Sequence, residues 1–222
     1  MITAIIPARS GSKGVPNKNM RTLYGHTLID WAITSCKKSK LINEVLVSTD
    51  SEEYRDHALS KGAKVPFLRP KEISNDFSTD FEFINHALDW FKENTNEPEI
   101  IALIRPTTPI RDPKIIDDAI NKFSELDNIT SLRSVHEMSE SSYKTFEISE
   151  NGHLNSICSN SFDLDQANMA RQSFPNTYVG NGYIDLFRSK FIRKEKLLYG
   201  NRVYAYITPV TWEVDHENDF EI

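Results

Sequence analysis

The chain opens on Ile2-Thr3-Ala4-Ile5-Ile6, a short apolar run closed by Pro7, and a loop of small and cationic residues follows directly. Such a run reads as a strand buried on both faces, as in a parallel sheet. In the loop, Gly11 and Gly14 let the backbone turn tightly and approach a ligand. Ser10 and Ser12 add hydroxyls, and Arg9, Lys13 and Lys18 add positive charge. Backbone N–H groups, hydroxyls and three cations together suit a polyphosphate. The loop is not a P-loop, because Lys13 is followed by Gly14 and Val15, and it lacks the G-x-G-x-x-G dinucleotide pattern. A Gly/Ser/Lys stretch also describes a plain surface turn. Its place after a buried strand favours the ligand reading, because open α/β sheets bind ligands at the carboxyl ends of their strands.

The rest of the chain continues an α/β rhythm. His26 to Lys40 has the spacing of an amphipathic helix, with lysines at its negative end. Glu44 to Thr49 reads as a second strand, and Ser51 to Lys61 as a helix stopped by Gly62. Asp50, between them, suits either a helix cap or the edge of a nucleotide pocket. A helix follows Asp76-Phe77-Ser78-Thr79-Asp80, with Phe81, Ile84, Leu88 and Phe91 on its core face. Glu99 to Ile104 is another buried strand, Asp112 caps a helix with Pro113 in its first turn, and Ile129 to Val135 is a strand. From His136 the rhythm breaks, and 143–157 reads as a β-hairpin around Asn151-Gly152. Strands are expected at Tyr183 to Phe187 and at 202–208, with a closing helix beginning at the end. The expected organisation is one domain, 1–222, with 136–168 as an inserted hairpin element.

Net charge bounds the partners. At −6 over 222 residues, a general nucleic-acid binder is not indicated. The first 21 residues nevertheless carry Arg9, Lys13, Lys18 and Arg21 and no acid, which leaves a small anionic substrate open. No apolar run approaches a transmembrane helix, and the N-terminus lacks the features of a signal peptide, so a cytoplasmic location is expected. Cys36 and Cys158 lie far apart without metal-ligand spacing and read as reduced structural thiols.

Ile6 to Asn19, I-P-A-R-S-G-S-K-G-V-P-N-K-N, resembles the signature of the acylneuraminate cytidylyltransferases, the CMP-sialic acid synthetase group related to the CMP-Kdo synthetases. Three later segments extend the likeness over most of the chain. Arg105-Pro106-Thr107-Thr108-Pro109-Ile110-Arg111 resembles that family's Q-P-T-S-P-L-R. Arg171-Gln172 through Tyr178 to Asn181-Gly182-Tyr183-Ile184 resembles R-Q-x-x-P-x-x-Y…N-G-x-I. Glu213-Val214-Asp215 stands where the family carries D-I-D.

The resemblance implies a Rossmann-like nucleotidyltransferase fold with a mostly parallel central sheet. It also implies an inserted hairpin that reaches a homodimer partner. By the same likeness CTP would meet Ala8, Arg9, Ser10, Gly11, Ser12, Lys13, Asn19, Asp50, Arg69 and Ser78. The sugar would meet Arg105, Thr107, Arg171, Gln172, Tyr178 and Asn181. Arg9, Lys18 and Asp215 would be catalytic, with Mg²⁺ held by Asp215 and Glu213. Two acids one residue apart in an extended segment leave the same face and form a like-charge site unless a cation joins them, although paired acids near a C-terminus also describe a solvated face. Arg105 in place of the family's Gln leaves the identity of the sugar open.

The reaction so implied is transfer of CMP from CTP to the anomeric hydroxyl of a 2-keto-3-deoxy sugar acid, such as sialic, legionaminic or pseudaminic acid, with release of pyrophosphate. A CMP-Kdo or amino-Kdo synthetase, a nucleotide-sugar glycosyltransferase and a catalytically silent nucleotide-binding protein are the alternatives.

Overall fold

A computed structural model describes residues 1–158 and 164–221. Residues 159–163, part of the expected insertion, and residue 222 lie outside the described residues. Among the described residues ten strands and six α-helices follow in chain order: β1 Ile2–Pro7, β2 Thr22–Leu23, β3 His26–Thr27, α1 Leu28–Lys38, β4 Glu44–Ser48, α2 Glu52–Ser60, α3 Asp80–Asn94, β5 Ile100–Leu103, α4 Pro113–Glu125, β6 Ser131–Glu137, β7 Phe146–Ile148, β8 Leu154–Ser156, α5 Leu164–Ala167, β9 Tyr178–Arg188, α6 Ser189–Glu195 and β10 Val203–Ile207.

Six strands form the central sheet in the order β10-β6-β9-β5-β1-β4. β1 runs parallel to β4 and β5, with Ile5 opposite both Leu46 and Leu103. β10 runs parallel to β6, and β9 is antiparallel to both β5 and β6. Successive side chains of a strand leave opposite faces, and both faces of β1 are apolar. Ala4 and Ile6 pack into a cluster with Ile29 and Ile33 of α1, Tyr54 of α2 and Ile120 and Phe123 of α4. Ile5 packs the other way, with Phe83, Leu88 and Phe91 of α3 and Ile192 of α6. Helices therefore cover both faces. Each fully buried large side chain in these layers contributes about 1.5–3 kcal/mol.

Local signals set the helix starts. Thr27 and Thr79 each cap a helix in a reciprocal box with the acid three residues on, Asp30 and Glu82. Asp112 caps α4 ahead of Pro113, and Ser51 caps α2. Several details differ from the sequence expectation. Two short strands, β2 and β3, precede α1, so the helix begins at Leu28 rather than His26. β9 starts at Tyr178, well before Tyr183, because an irregular register between Arg133 and Val135 lets it pair with the end of β6. The closing helix is a single 3-10 turn, Glu217–Phe220. The expected hairpin forms as β7 paired with β8, a two-stranded sheet apart from the central one. Among the described residues no helix is long and apolar enough to cross a membrane.

Candidate functional site

The carboxyl ends of β1, β4 and β5 lie side by side, and the chain leaving each contributes to one cavity of about 240 Å³. From β1 come Pro7, Arg9, Ser12, Lys18 and Asn19, and from β5 come Arg105, Pro106 and Thr107. The segment after β4 and the start of α3 supply Arg69, Ser78, Asp80 and Phe83. Two roomier hollows, of about 620 and 770 Å³, lie at the opposite edge, around Glu99 and Ser189 and around Thr130 and Arg202. Ligands of open α/β sheets gather at the carboxyl edge, and there the smaller cavity concentrates unlike elements and cations.

The loop after β1 is held from behind. Asp50, at the end of β4, accepts from the Ser10 N–H at 2.8 Å and from the Ser10 hydroxyl at 3.0 Å. Ala8 is fully buried, and its N–H donates to the Ser48 carbonyl. Asn19 is buried and donates to the Arg9 carbonyl at 3.1 Å. Arg9 donates to the Gly11 carbonyl. Its other nitrogen pairs with Asp76 at 2.8 Å, and Lys13 reaches the same carboxylate at 2.5 Å. Lys13 and Arg9 hold the Asp76 carboxyl below the usual range.

The C-terminal segment closes on this loop. Lys18 Nζ lies 3.1 Å from Asp215 Oδ1 and 3.2 Å from the Val214 carbonyl. A side chain at Gly14 would press on the Asp215 carbonyl at 3.1 Å, so the loop and this segment touch at a glycine. Val214 is fully buried against Leu23 and Leu28, and its N–H donates to the Thr107 carbonyl at 2.7 Å. Arg9 and Lys18 both line the cavity, and Lys18 carries the contact to Asp215 behind it.

The inner wall holds its cations differently. Arg69 is buried, donates to the Ser48 hydroxyl at 3.0 Å and carbonyl at 2.6 Å, and lies over the Phe83 ring. Burial pushes its guanidinium down to about 10, so it remains a cation at neutral pH. Arg105 bridges Asp80 at 2.5 Å and Asp185 at 2.6 Å. Burial works against the Arg105 charge, but Asp185 and Asp80 outweigh it and raise its pKa. Burial lifts the Asp185 carboxyl, which also accepts from the Tyr199 hydroxyl, and Arg105 only partly offsets that rise. Arg111, buried beneath, donates to the carbonyls of Arg105, Gly182 and Tyr183.

The remaining candidates stand elsewhere or are already engaged. Asn181 is buried and spends its amide on Thr208, His136 and the Tyr183 N–H. Arg171 donates to the carbonyls of Ser139 and Met138 and faces Glu137 at 3.5 Å. Gln172 and Tyr178 are exposed, and none of these four lines the cavity. Glu213 accepts from the Gly182 N–H at 2.7 Å, so the two acids of the C-terminal pair serve different elements. Sequence reasoning did not assign Asp76, Asp80, Arg111 or Asp185 to this site. The one signal for Asp185 was a charge inside the apolar run Tyr183-Ile184-Asp185-Leu186-Phe187.

A doubly covered, mostly parallel sheet with cations gathered at its carboxyl edge defines an α/β protein whose edge cavity suits an anion. The chain belongs to the cytidylyltransferase family, whose model matches residues 3–211 and so ends just before Glu213 and Asp215. It is 34% identical over 223 residues to an N-acylneuraminate cytidylyltransferase of Escherichia coli, covering 100% of this chain and 51% of the relative. A pseudaminic acid cytidylyltransferase of Campylobacter jejuni is 26% identical, over 98% of this chain and 92% of its own length. The chain spans about half the length of the first of these relatives. Among solved structures, CMP:2-keto-3-deoxy-manno-octonic acid synthetase complexed with CTP superposes with a TM-score of 0.73 at 14% identity, covering 99% of this chain and 95% of its own. At that identity the likeness concerns the fold.

Proposed function

We propose that the protein transfers CMP from CTP to the anomeric hydroxyl of a 2-keto-3-deoxy sugar acid of the nonulosonic type, such as sialic, legionaminic or pseudaminic acid, releasing pyrophosphate. The observation that carries this reading is the cavity at the carboxyl edge that both Arg9 and Lys18 line, with Lys18 also paired to Asp215. The relatives named for sialic and pseudaminic acids support the acceptor class.

The chemistry requires positioning and charge neutralisation more than covalent help. The sugar hydroxyl oxygen forms a bond to the α-phosphorus and its proton passes to solvent, while the bond to the bridging oxygen breaks and pyrophosphate carries away the electron pair. Arg9 and Lys13 would bind phosphate oxygens in place of Asp76, with the backbone and hydroxyls of Ala8 to Ser12 lining the turn. Lys18 would neutralise charge at the α-phosphate as it develops. Asn19 would hold the ribose or base, Arg69 and Ser78 the nucleoside side, and Asp50 the loop itself. Arg105 and Thr107 would shape the wall toward the sugar. Arg171, Gln172 and Tyr178, outside the cavity as it stands, would border the sugar's carboxylate or acyl end once it widens, and the buried Asn181 would shape that border through Thr208 and His136.

No group of three or more potential ligands that could hold a metal ion occurs among the described residues. The half-exposed Asp215 carboxylate fits a different use, since Mg²⁺ is commonly held by one or two carboxylates plus substrate phosphates. Bound there, Mg²⁺ would withdraw charge from the phosphate and lower the pKa of the attacking hydroxyl. At about 240 Å³ the cavity falls below the roughly 300–1,000 Å³ usual for ligand sites, so two substrates require it to widen.

The hairpin of β7 and β8 exposes Ile148, Leu154 and Ile157, which supports a homodimer through this element. A cytoplasmic location belongs to the same reading. Pyrophosphate release with CTP, Mg²⁺ and a panel of sialic, legionaminic, pseudaminic and Kdo-type acids tests the activity. Turnover confined to nonulosonic acids is the expected result. Preference for a Kdo-type acid would move the assignment to the Kdo branch, and no release with any acceptor would overturn it.

A further inference from the structure

We propose that Glu213 is a positioning residue, not a second metal ligand: its carboxylate anchors the Asp215 segment to the Gly182 N–H, leaving Asp215 as the protein's one carboxylate for the divalent ion. The inference rests on the proposed metal-assisted transfer.

Four contacts in succession pin the segment. Glu213 Oε1 accepts from the Gly182 N–H at 2.7 Å. The Val214 N–H donates to the Thr107 carbonyl at 2.7 Å, and the Val214 carbonyl accepts from Lys18 at 3.2 Å. Asp215 Oδ1 then meets Lys18 at 3.1 Å. With Val214 fully buried between them, the backbone cannot turn to bring both acids to one ion without giving up its bond to the cavity wall.

Gly182 sits close against the cavity wall. A Cβ there would lie 2.5 Å from Thr108 Oγ1 and 3.3 Å from Arg105 Cβ, so a larger residue would have to displace Thr108. Its carbonyl accepts from Arg111 while its N–H points to Glu213. Burial pushes the Arg111 guanidinium down to about 10, and the Glu213 charge lies close enough to oppose that fall. Glu213 thereby links the C-terminal segment to β9, and Arg111 links β9 to Arg105 on the cavity wall.

Gln keeps a side-chain carbonyl that can accept the Gly182 N–H but, being uncharged, is a weaker ligand than a carboxylate for a hard divalent ion. The full 222-residue chain is titrated with Mn²⁺ in the presence of CTP, free Mn²⁺ being read by electron paramagnetic resonance, and amide hydrogen exchange is followed at Gly182. Glu213→Gln should bind Mn²⁺ within about twofold of the unchanged chain, whereas Asp215→Asn should weaken it about tenfold or more. Glu213→Ala should speed exchange at Gly182, and Glu213→Gln should not. A loss of Mn²⁺ binding in Glu213→Gln equal to that in Asp215→Asn would overturn the inference. So would unchanged exchange at Gly182 in Glu213→Ala. Unchanged Mn²⁺ binding in Asp215→Asn would instead remove Asp215 from the metal site and with it the metal half of the proposed function.

Discussion

Arg9, Lys13 and Lys18 on the outer loop carry the same charge as Arg69 and Arg105 on the inner wall, but their partners differ in kind. Each loop cation shares an acid with water: Asp76 stands 28% exposed and Asp215 58%. Such pairs are worth little, and a phosphate can replace the acid without leaving a buried charge behind. On the inner wall, Arg69 is tied to the Ser48 hydroxyl and carbonyl, and Arg105 to an Asp185 with no exposure at all. Exchanging those partners would strand a buried group. The outer cations are therefore available to a substrate, and the inner ones set the shape that it meets.

Arg105→Ala tests the inner wall, with the largest expected effect. Asp185 would keep its burial and lose its countercharge, at a cost of about 3–5 kcal/mol. For a chain of this length that lowers Tm by roughly 2–4 °C per kcal/mol, readable by calorimetry. Adding Asp185→Asn should recover a large part of the loss. A melting curve for Arg105→Ala within a degree or two of the unchanged chain would place Arg105 in the same exchangeable class as Arg9.

Arg9→Ala should invert the pattern. Its partner is exposed, so melting should move by no more than about 2 °C. Turnover should fall about 10²–10³-fold, the usual loss for one aimed donor to developing charge. Pyrophosphate release at saturating CTP measures it, and near-normal turnover would take Arg9 out of the mechanism.

Asp30 supplies the contrast of a buried acid away from the cavity. Burial works to raise its carboxyl, but Lys61, His57 and the Thr27 N–H outweigh it, and the pKa lies below the ordinary value. A carboxyl lowered on folding stabilises above its unfolded range near 4 and loses that contribution as pH falls through the lowered value. Asp30→Asn should cost about 2 kcal/mol at pH 7 in urea unfolding, leave turnover unchanged, and show a shrinking deficit below about pH 4. A deficit constant down to pH 2 would mean that the side chain acts through shape rather than charge.

The difference between the two walls also marks what the sequence makes legible. β1, the loop after it and the caps at Ser51 and Asp112 are short-range features, where apolar run, glycine and cap residue stand within a few positions. The loop cations could be read for the same reason. The inner wall is made by partners 25 and 80 residues apart, Asp80 and Asp185 around Arg105, which no local pattern encodes. The early start of β9 depends on a register change in its neighbour, and the tie between Glu213 and Gly182 spans 31 residues. Helix α6 went unread because its seven residues lie directly against β9 and offer no apolar period long enough to count.

The smallest effect separates the two classes of cation most cleanly. Asp76 reaches Arg9 and Lys13 from the segment ahead of α3, beside the strongly exposed Phe77, and occupies both cations with one carboxylate. Any triphosphate taking those cations must displace it. Asp76→Asn removes the competing charge and leaves the loop's own bonds to Asp50 intact, so KM for CTP should fall about two- to fivefold with kcat unchanged. The gain should shrink as ionic strength rises, since salt already screens an exposed pair. A rise in KM would mean that Asp76 aligns Arg9 and Lys13 for the phosphates instead of competing with them. The outer wall would then owe its geometry to an acid, as the inner wall does.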